Sequence, residues 1–324
     1  MRQTLLFFLL FLVASCGGKA PKSPDPQSPQ SNNPQTPHAM TGIPKFSGAN
    51  AFAFLTKQTS FGPRNPNSKG HDQCLAFLEN TLRQSADEVQ MQSFTAQGYN
   101  ETLRLTNVIA KFNPTATARV LLCAHWDTRP RAEQDTNKAK QQLPLLGAND
   151  AASGVAVLLE IARLLKEKSP TVGVDLVFFD GVDYGKESDL SRYFLGSRYF
   201  AKNKSADYNP RFGILLDMIG DKFLDIPKEQ HSVKFAPDIV DLVWAKAKEL
   251  GYPQFLDEMG EQVNDDHLQL NEVGIKTIDL IDFNYPDQTN RYWHTHDDTP
   301  DKCSAESLEA VGTVLTHVVY GQRP

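Results

Sequence analysis

The stretch LVFFDGVDYG, Leu176 to Gly185, runs four apolar residues into an Asp-Gly turn and then sets Val182 and Asp183 side by side. Such a run reads as a buried strand that hands its end to a loop. Five further runs have the same character: EVQMQSF, LRLTNVIAKF, ARVLLCAH, FGILLDMIG and IKTIDLIDF. Helical periodicity falls between or around them at residues 51–56, 71–84, 151–166, 195–202, 238–250, 267–272 and 304–319. Strands therefore alternate with helices through the middle of the chain, and several strands are apolar on both faces. The pattern predicts an α/β fold, a mostly parallel mixed central sheet with helices on each side. In such sheets ligands collect at the carboxyl ends of the strands.

Composition narrows the partners. With 324 residues and 40% hydrophobic content the chain can bury a large core. A net charge of -6 without a Lys/Arg block argues against nucleic acid or anionic headgroups as partners. The opening MRQTLLFFLLFLVASCGG has one Arg, a short apolar core from Leu5 to Val13 and small residues before Cys16. That core is too short to span a bilayer and reads as a secretory signal. Val13-Ala14-Ser15-Cys16 resembles a bacterial lipobox, so the expected product is an exported lipoprotein acylated on Cys16, held at a membrane by its lipid alone, periplasmic or cell-surface. Residues 17 to about 44 are Pro, Ser, Gln, Asn and Lys and read as a tether. The expected division is a signal peptide over 1–15, a lipidated Cys and tether over 16–44, and one folded domain over 45–324. Cys74, Cys123 and Cys303 have no paired spacing and read as buried small hydrophobes, one pair being open to chance proximity.

Almost every strand ends in a carboxylate or imidazole. ARVLLCAH runs into HWDTRP, with His125 and Asp127 two apart; GANDAASG places Asp150 just before a long helix. The 176–185 stretch delivers Asp183, FGILLDMIGD delivers Asp217 and Asp221, NDDHLQL offers Asp265, Asp266 and His267, and YWHTHDDTP offers His294 and His296. Singly these are ordinary: Asp150 and Asp265 can be helix N-caps, His125 a core histidine, and His296 a solvated loop residue. Together, so many like charges at one sheet edge repel unless a cation holds them. Oxygen and imidazole donors without thiolate suit a catalytic zinc, with manganese or iron also compatible with the ligand type.

The ordered series HWDTRP, GANDAASG, FFDGVDYG, LLDMIGD, DDH and WHTHDDTPDKC resembles the glutaminyl cyclases of animals and some bacteria, from about Pro44 to the C-terminus. The resemblance implies the zinc aminopeptidase-like fold of the phosphorylase/hydrolase-like class. It also implies cyclisation of N-terminal Gln to pyroglutamate with loss of ammonia, on peptides or proteins that begin with Gln, with one zinc; a monomer is expected. By motif the zinc ligands fall on Asp150, Asp183 and His294, the supporting hydrogen-bond network on Asp217 and Asp265, and the aromatic wall on Trp293. His125 and Asp217 match positions that hold a second zinc in aminopeptidase relatives. The departure is Val182, where the family carries the Glu that moves a proton from the substrate amine to the departing ammonia. Three readings stay open: the motif is shifted by one and Asp183 is the acid-base; Asp180, Glu187 or Glu261 reaches in instead; or catalysis is lost and peptide binding remains. A two-zinc aminopeptidase and a lipid-tethered peptide receptor are the alternative functions.

Overall fold

Seven consecutive buried residues, Gly173–Phe179, form the strand expected from LVFFD. The computed structural model describes residues 42–324; the signal, Cys16 and most of the tether lie outside them. Eight strands follow in chain order: β1 Glu88–Gln97, β2 Thr102–Phe112, β3 Arg119–His125, β4 Gly173–Phe179, β5 Gly213–Asp217, β6 Ile226–Lys228, β7 Phe255–Met259 and β8 Thr277–Ile281. The helices are α1 Gly48–Thr59, α2 Lys69–Ser85, α3 Ala152–Glu167, α4 Leu195–Asn203, α5 Gln230–Phe235, α6 Pro237–Leu250, α7 Asp266–Glu272 and α8 Ala305–Tyr320.

Six strands make one sheet in the order β1-β2-β4-β3-β5-β8. The hairpin β1–β2 is antiparallel and joins β4 antiparallel, while β4, β3, β5 and β8 run parallel. Alternate residues of the parallel strands feed two separate cores, as a period of two requires. Val120, Leu122 and Ala124 of β3, with Val174, Leu176 and Phe178 of β4, face α1, α2, α3 and α8. Leu121, Cys123, Val177 and Phe179 face the opposite side, against Phe200 of α4 and Leu270 of α7. Both faces are thus covered, which is why the parallel strands read as unbroken apolar runs. Asp175 is the exception inside β4: Arg119 Nη2 and Nε donate to it at 2.5 and 3.0 Å and Tyr208 Oη at 3.0 Å, so the buried charge is paired. The short pair β6–β7, a separate parallel two-stranded sheet, and α5 did not show in the sequence pattern.

The order β4-β3-β5 reverses direction at β3: the chain leaves β3 through α3 to β4 on one side, then crosses back to β5 on the other. That is a switch point, and a crevice opens at the carboxyl ends there. α3 comes close to the sheet at its first turn, where a Cβ on Gly154 would stand 2.4 Å from the Leu216 carbonyl oxygen. The absence of a side chain at 154 lets the residues preceding α3 reach the ends of β3 and β5. Cys74, Cys123 and Cys303 are buried and free, in agreement with their reading as small hydrophobes.

Candidate metal centre and active site

Five side chains from five segments meet at that crevice. His125 ends β3, Asp217 ends β5, Asp183 follows β4 across the Asp180-Gly181 turn, His294 lies in the loop after β8, and Asp150 precedes α3. Their donor atoms form two triads within 4.8 Å, His125–Asp150–Asp217 and Asp150–Asp183–His294, and all five residues are buried. Asp150 belongs to both: His125 Nε2 lies 3.1 Å from Asp150 Oδ1 and 3.3 Å from Asp217 Oδ1, and His294 Nε2 lies 3.6 Å from Asp150 Oδ2 and 3.9 Å from Asp183 Oδ2. Asp150 is no N-cap; α3 is preceded by Ala151 without a side-chain cap. Asp265 is one, accepting from the Asp266 N–H at 2.6 Å, and it also lines the cavity.

The donors fit a cation. Asp150 Oδ1 and Asp217 Oδ1 are buried and make no well-aligned hydrogen bond, with His125 Nε2 3.1 and 3.3 Å away. Lone pairs that converge on a point instead of on a proton are what a metal site presents. Burial pushes Asp183 up to about 6, helped by Asp150 and opposed by His294 and Arg129. Burial takes His294 down to about 3, so its ring is neutral and free to ligate. Burial also works against a charged His125, but Asp127, Asp150 and Asp217 around it hold it well above the usual imidazole value. Asp265 is raised far above a free carboxyl by burial, then by Asp217 and Asp279.

A second layer fixes the donors. Asp298 Oδ1 accepts from the Asn149 N–H at 2.7 Å and from Tyr285 Oη at 2.8 Å, and its Oδ2 accepts from the Asp150 N–H at 3.2 Å. Asp127 Oδ1 accepts from the Val182 N–H at 3.0 Å and stands 3.6 Å from His125 Nδ1. Arg129, buried, forks onto Glu133 at 2.7 and 2.8 Å, donates to the Asp183 carbonyl at 3.1 Å and stands 3.8 Å from Asp183 Oδ1. Arg129 and Asp298 were missed in the sequence, though both sit in the quoted motifs HWDTRP and WHTHDDTPDKC. An Arg at a strand end that otherwise gathers carboxylates was the available signal.

The remaining candidates lie elsewhere. Asp221 is buried beside Cys303 in an isolated bridge and accepts from the Phe223 N–H, away from the cavity. Asp266 accepts from Ser197 Oγ, and His267 is buried 3.4 Å from Glu229. His296, expected to be solvated, pairs through Nδ1 with Asp135 Oδ2 at 2.8 Å.

The cavity above the triads measures about 290 Å³, and Val182, Tyr193, Phe194, Ile281, Phe283 and Trp293 supply its apolar wall. Trp293 stacks on the His294 ring at 3.7 Å between centroids and meets Phe283 edge-on at 5.2 Å.

The sequence profile described as "Peptidase family M28" matches residues 107–319, more than half the chain and all five converging donors. The chain belongs to peptidase family M28. Among solved structures it is similar to the Bacteroides thetaiotaomicron glutaminyl cyclase bound to N-acetylhistamine, at 40% identity and TM-score 0.83 over 87% of this chain and 100% of that one. It is similar to a Zn-dependent exopeptidase from Parabacteroides distasonis at 37% identity and the same TM-score, with the same coverage of 87% and 100%. The glutaminyl-peptide cyclotransferase-like protein of Bos taurus is 26% identical over 280 residues, 78% of this chain and 70% of that protein.

Within this M28 site Val182 lies in the cavity wall, packed in the apolar cluster with Phe179 and Phe194, while Asp183 faces His294. A shift of the motif by one residue would take Asp183 out of the metal ligands, whereas Asp183 Oδ2 lies 3.9 Å from His294 Nε2 and belongs to the Asp150–Asp183–His294 triad. Gly181, at φ +70, makes the turn that sets this register.

Proposed function

We propose that the chain is a zinc-dependent glutaminyl-peptide cyclotransferase that converts N-terminal Gln of peptides or proteins to pyroglutamate and releases ammonia. The observation that carries the reading is the assembled Asp150–Asp183–His294 triad lining a cavity of about 290 Å³ walled by Trp293. Similarity to the glutaminyl cyclases supports it.

Asp150, Asp183 and His294 would hold the zinc, which supplies polarisation of the γ-amide carbonyl. The protein's own residues do the rest. Trp293 packs on the Gln side chain and, with Phe283 and Ile281, excludes water from the amide carbon. Confinement of a short side chain folds the α-amine back toward its own γ-carbon, so the ring closes with the ends already positioned. Asp217 and Asp265, which line the cavity beside the triads, stabilise the charge that develops on the amide as the ring closes. Specificity is proposed to stop at the first residue, because a cavity of about 290 Å³ is small.

His125 and Asp217 complete a second triad through the shared Asp150, and this favours a two-zinc aminopeptidase as the other reading. We propose one zinc per chain. We propose also that the mature protein is a monomeric lipoprotein, exported and anchored through Cys16, which the lipobox-like Val13–Cys16 supports. Among the described residues no helix is long and apolar enough to cross a membrane.

The test is ammonia release from a Gln-initiated peptide by the zinc-loaded protein, with a Leu-initiated peptide beside it. Ammonia and a product lighter by the mass of ammonia from the first, with the second left intact, are expected. Free leucine from the second, with two zinc ions per chain, would establish the peptidase instead.

A further inference from the structure

Val182 leaves the substrate's amine without the carboxylate that a proton transfer needs, and the cavity wall around it is apolar. Six carboxylates line the cavity: Glu133, Asp150, Asp183, Glu187, Asp217 and Asp265. Three belong to the metal triads. Glu133 is locked in its fork with Arg129 and is reached by Arg131 at 3.3 Å. Asp265 is tied to the Asp266 N–H. Asp180 lies behind the wall, with both oxygens on His71 Nε2 at 2.9 and 3.0 Å and the Thr106 N–H at 2.6 Å. Glu261 opens into the neighbouring cavity beyond Phe283. Glu187 alone lines the site with a carboxylate that makes no hydrogen bond or ion pair among the described residues.

Its backbone is held firmly for so exposed a residue. Arg131 Nη2 donates to the Tyr184 and Gly185 carbonyls, both at 2.6 Å, and Tyr99 Oη accepts from the Lys186 N–H at 2.8 Å while donating to Asp189 Oδ2 at 2.9 Å. The Asp189 N–H closes the turn onto the Lys186 carbonyl at 2.9 Å, and Ser188 takes the left-handed conformation at φ +68 that the turn requires. Lys186 lays its ammonium over the Tyr99 ring, 4.5 Å from the centroid. Glu187 therefore stands at the apex of a pinned turn at the cavity mouth.

We propose that Glu187 is the catalytic acid-base of this chain, taking over from across the cavity mouth the task that position 182 cannot perform. The inference rests on the cyclase reading above. The Glu187 carboxylate accepts a proton from the α-amine as the bond from that nitrogen to the γ-amide carbon forms. It returns the proton to the amide nitrogen as the carbon–nitrogen bond breaks and ammonia leaves, so Glu187 ends as it began. The turn supplies the positioning, and the missing partner leaves the lone pairs free for substrate.

Wild type, Glu187→Gln and the double variant Val182→Glu/Glu187→Gln, each loaded with zinc, are assayed for ammonia release from a Gln-Ala peptide, with zinc content and Tm recorded. General acid-base help is worth about 100- to 10,000-fold. Glu187→Gln is expected to lose about 100-fold or more in kcat/KM at unchanged zinc content and Tm, and the double variant to regain at least about tenfold of that loss, since a carboxylate returns to the wall. Activity of Glu187→Gln within about threefold of wild type would overturn the assignment while leaving the cyclase reading intact, because help of this kind is worth far more. A zinc-loaded wild type that releases no ammonia would overturn both.

Discussion

Asp150 turns its two carboxylate oxygens to two different histidines: Oδ1 lies 3.1 Å from His125 Nε2 and Oδ2 lies 3.6 Å from His294 Nε2. One residue thus stands between both donor triads, and its charge is the attraction that any cation in either place must share. Asp150→Asn is predicted to abolish tight zinc binding and to lower ammonia release by about 100-fold or more, since a ligand and not merely its support is lost. In wild type a chelator should lower Tm and zinc should restore it. In the variant that zinc-dependent rise should vanish, while the chelated form is as stable as chelated wild type, because one buried like charge has gone.

Asp298 holds the same segment from behind, through the Asn149 and Asp150 N–H groups. In Asp298→Asn one of the acceptors becomes an NH2 group that faces an N–H donor. Loss of such support behind a ligand weakens metal about 10- to 100-fold. Competition with a chelator of known affinity measures this, and equal zinc affinity in the two proteins would remove Asp298 from its positioning role.

Glu229 sets an acid limit on stability. Burial works against its charge, but His267, the His231 N–H and Ser232 outweigh burial and hold it down to about 2, against an ordinary 4.5. Its folded value lies below its unfolded one, so its contribution is present above pH 4.5 and is lost as pH falls from there through about 2. Discounted for screening and for a His267 ring that burial keeps neutral at pH 7, the contribution is on the order of 1–2 kcal/mol. Urea unfolding of wild type and Glu229→Gln should show a gap of that order at pH 7 that narrows steadily below pH 4.5. A gap independent of pH would mean that the carboxylate charge is not what stabilises the α5 start.

Trp293 stacks on a ligand and walls the cavity. Trp293→Ala removes an aromatic face worth about 0.5–1.5 kcal/mol beyond its area and opens the site to water. KM for a Gln-initiated peptide is expected to rise about tenfold or more, with zinc affinity changed less than by Asp298→Asn. Unaltered KM would place the substrate side chain on another wall.

Among the described residues, the six strands of the main sheet and seven of the eight helices were legible because each buries a face whose period the sequence carries. β6, β7 and α5 were not. Ile226–Lys228 contains Pro227, and Phe255–Met259 ends in Asp257, Glu258 and Met259, which are exposed; neither has a pattern apart from the other, against which it pairs. The donors were legible because they sit where parallel strands end. Their supports were not: Arg129 meets the Asp183 carbonyl 54 positions away, and Asp298 meets the Asp150 N–H 148 positions away. Nothing near His296 in the chain announces Asp135, and this is why it was expected in solvent. Asp150 looked like a cap because caps and strand-end ligands both precede helices, and only the geometry separates the two.

Diffraction at the zinc absorption edge from crystals grown with zinc tests the centre of this account most directly. One anomalous peak is predicted, within bonding distance of Asp150, Asp183 and His294 and with nothing comparable beside His125. A peak anywhere else, or two of equal height astride Asp150, would contradict a single-zinc cyclase.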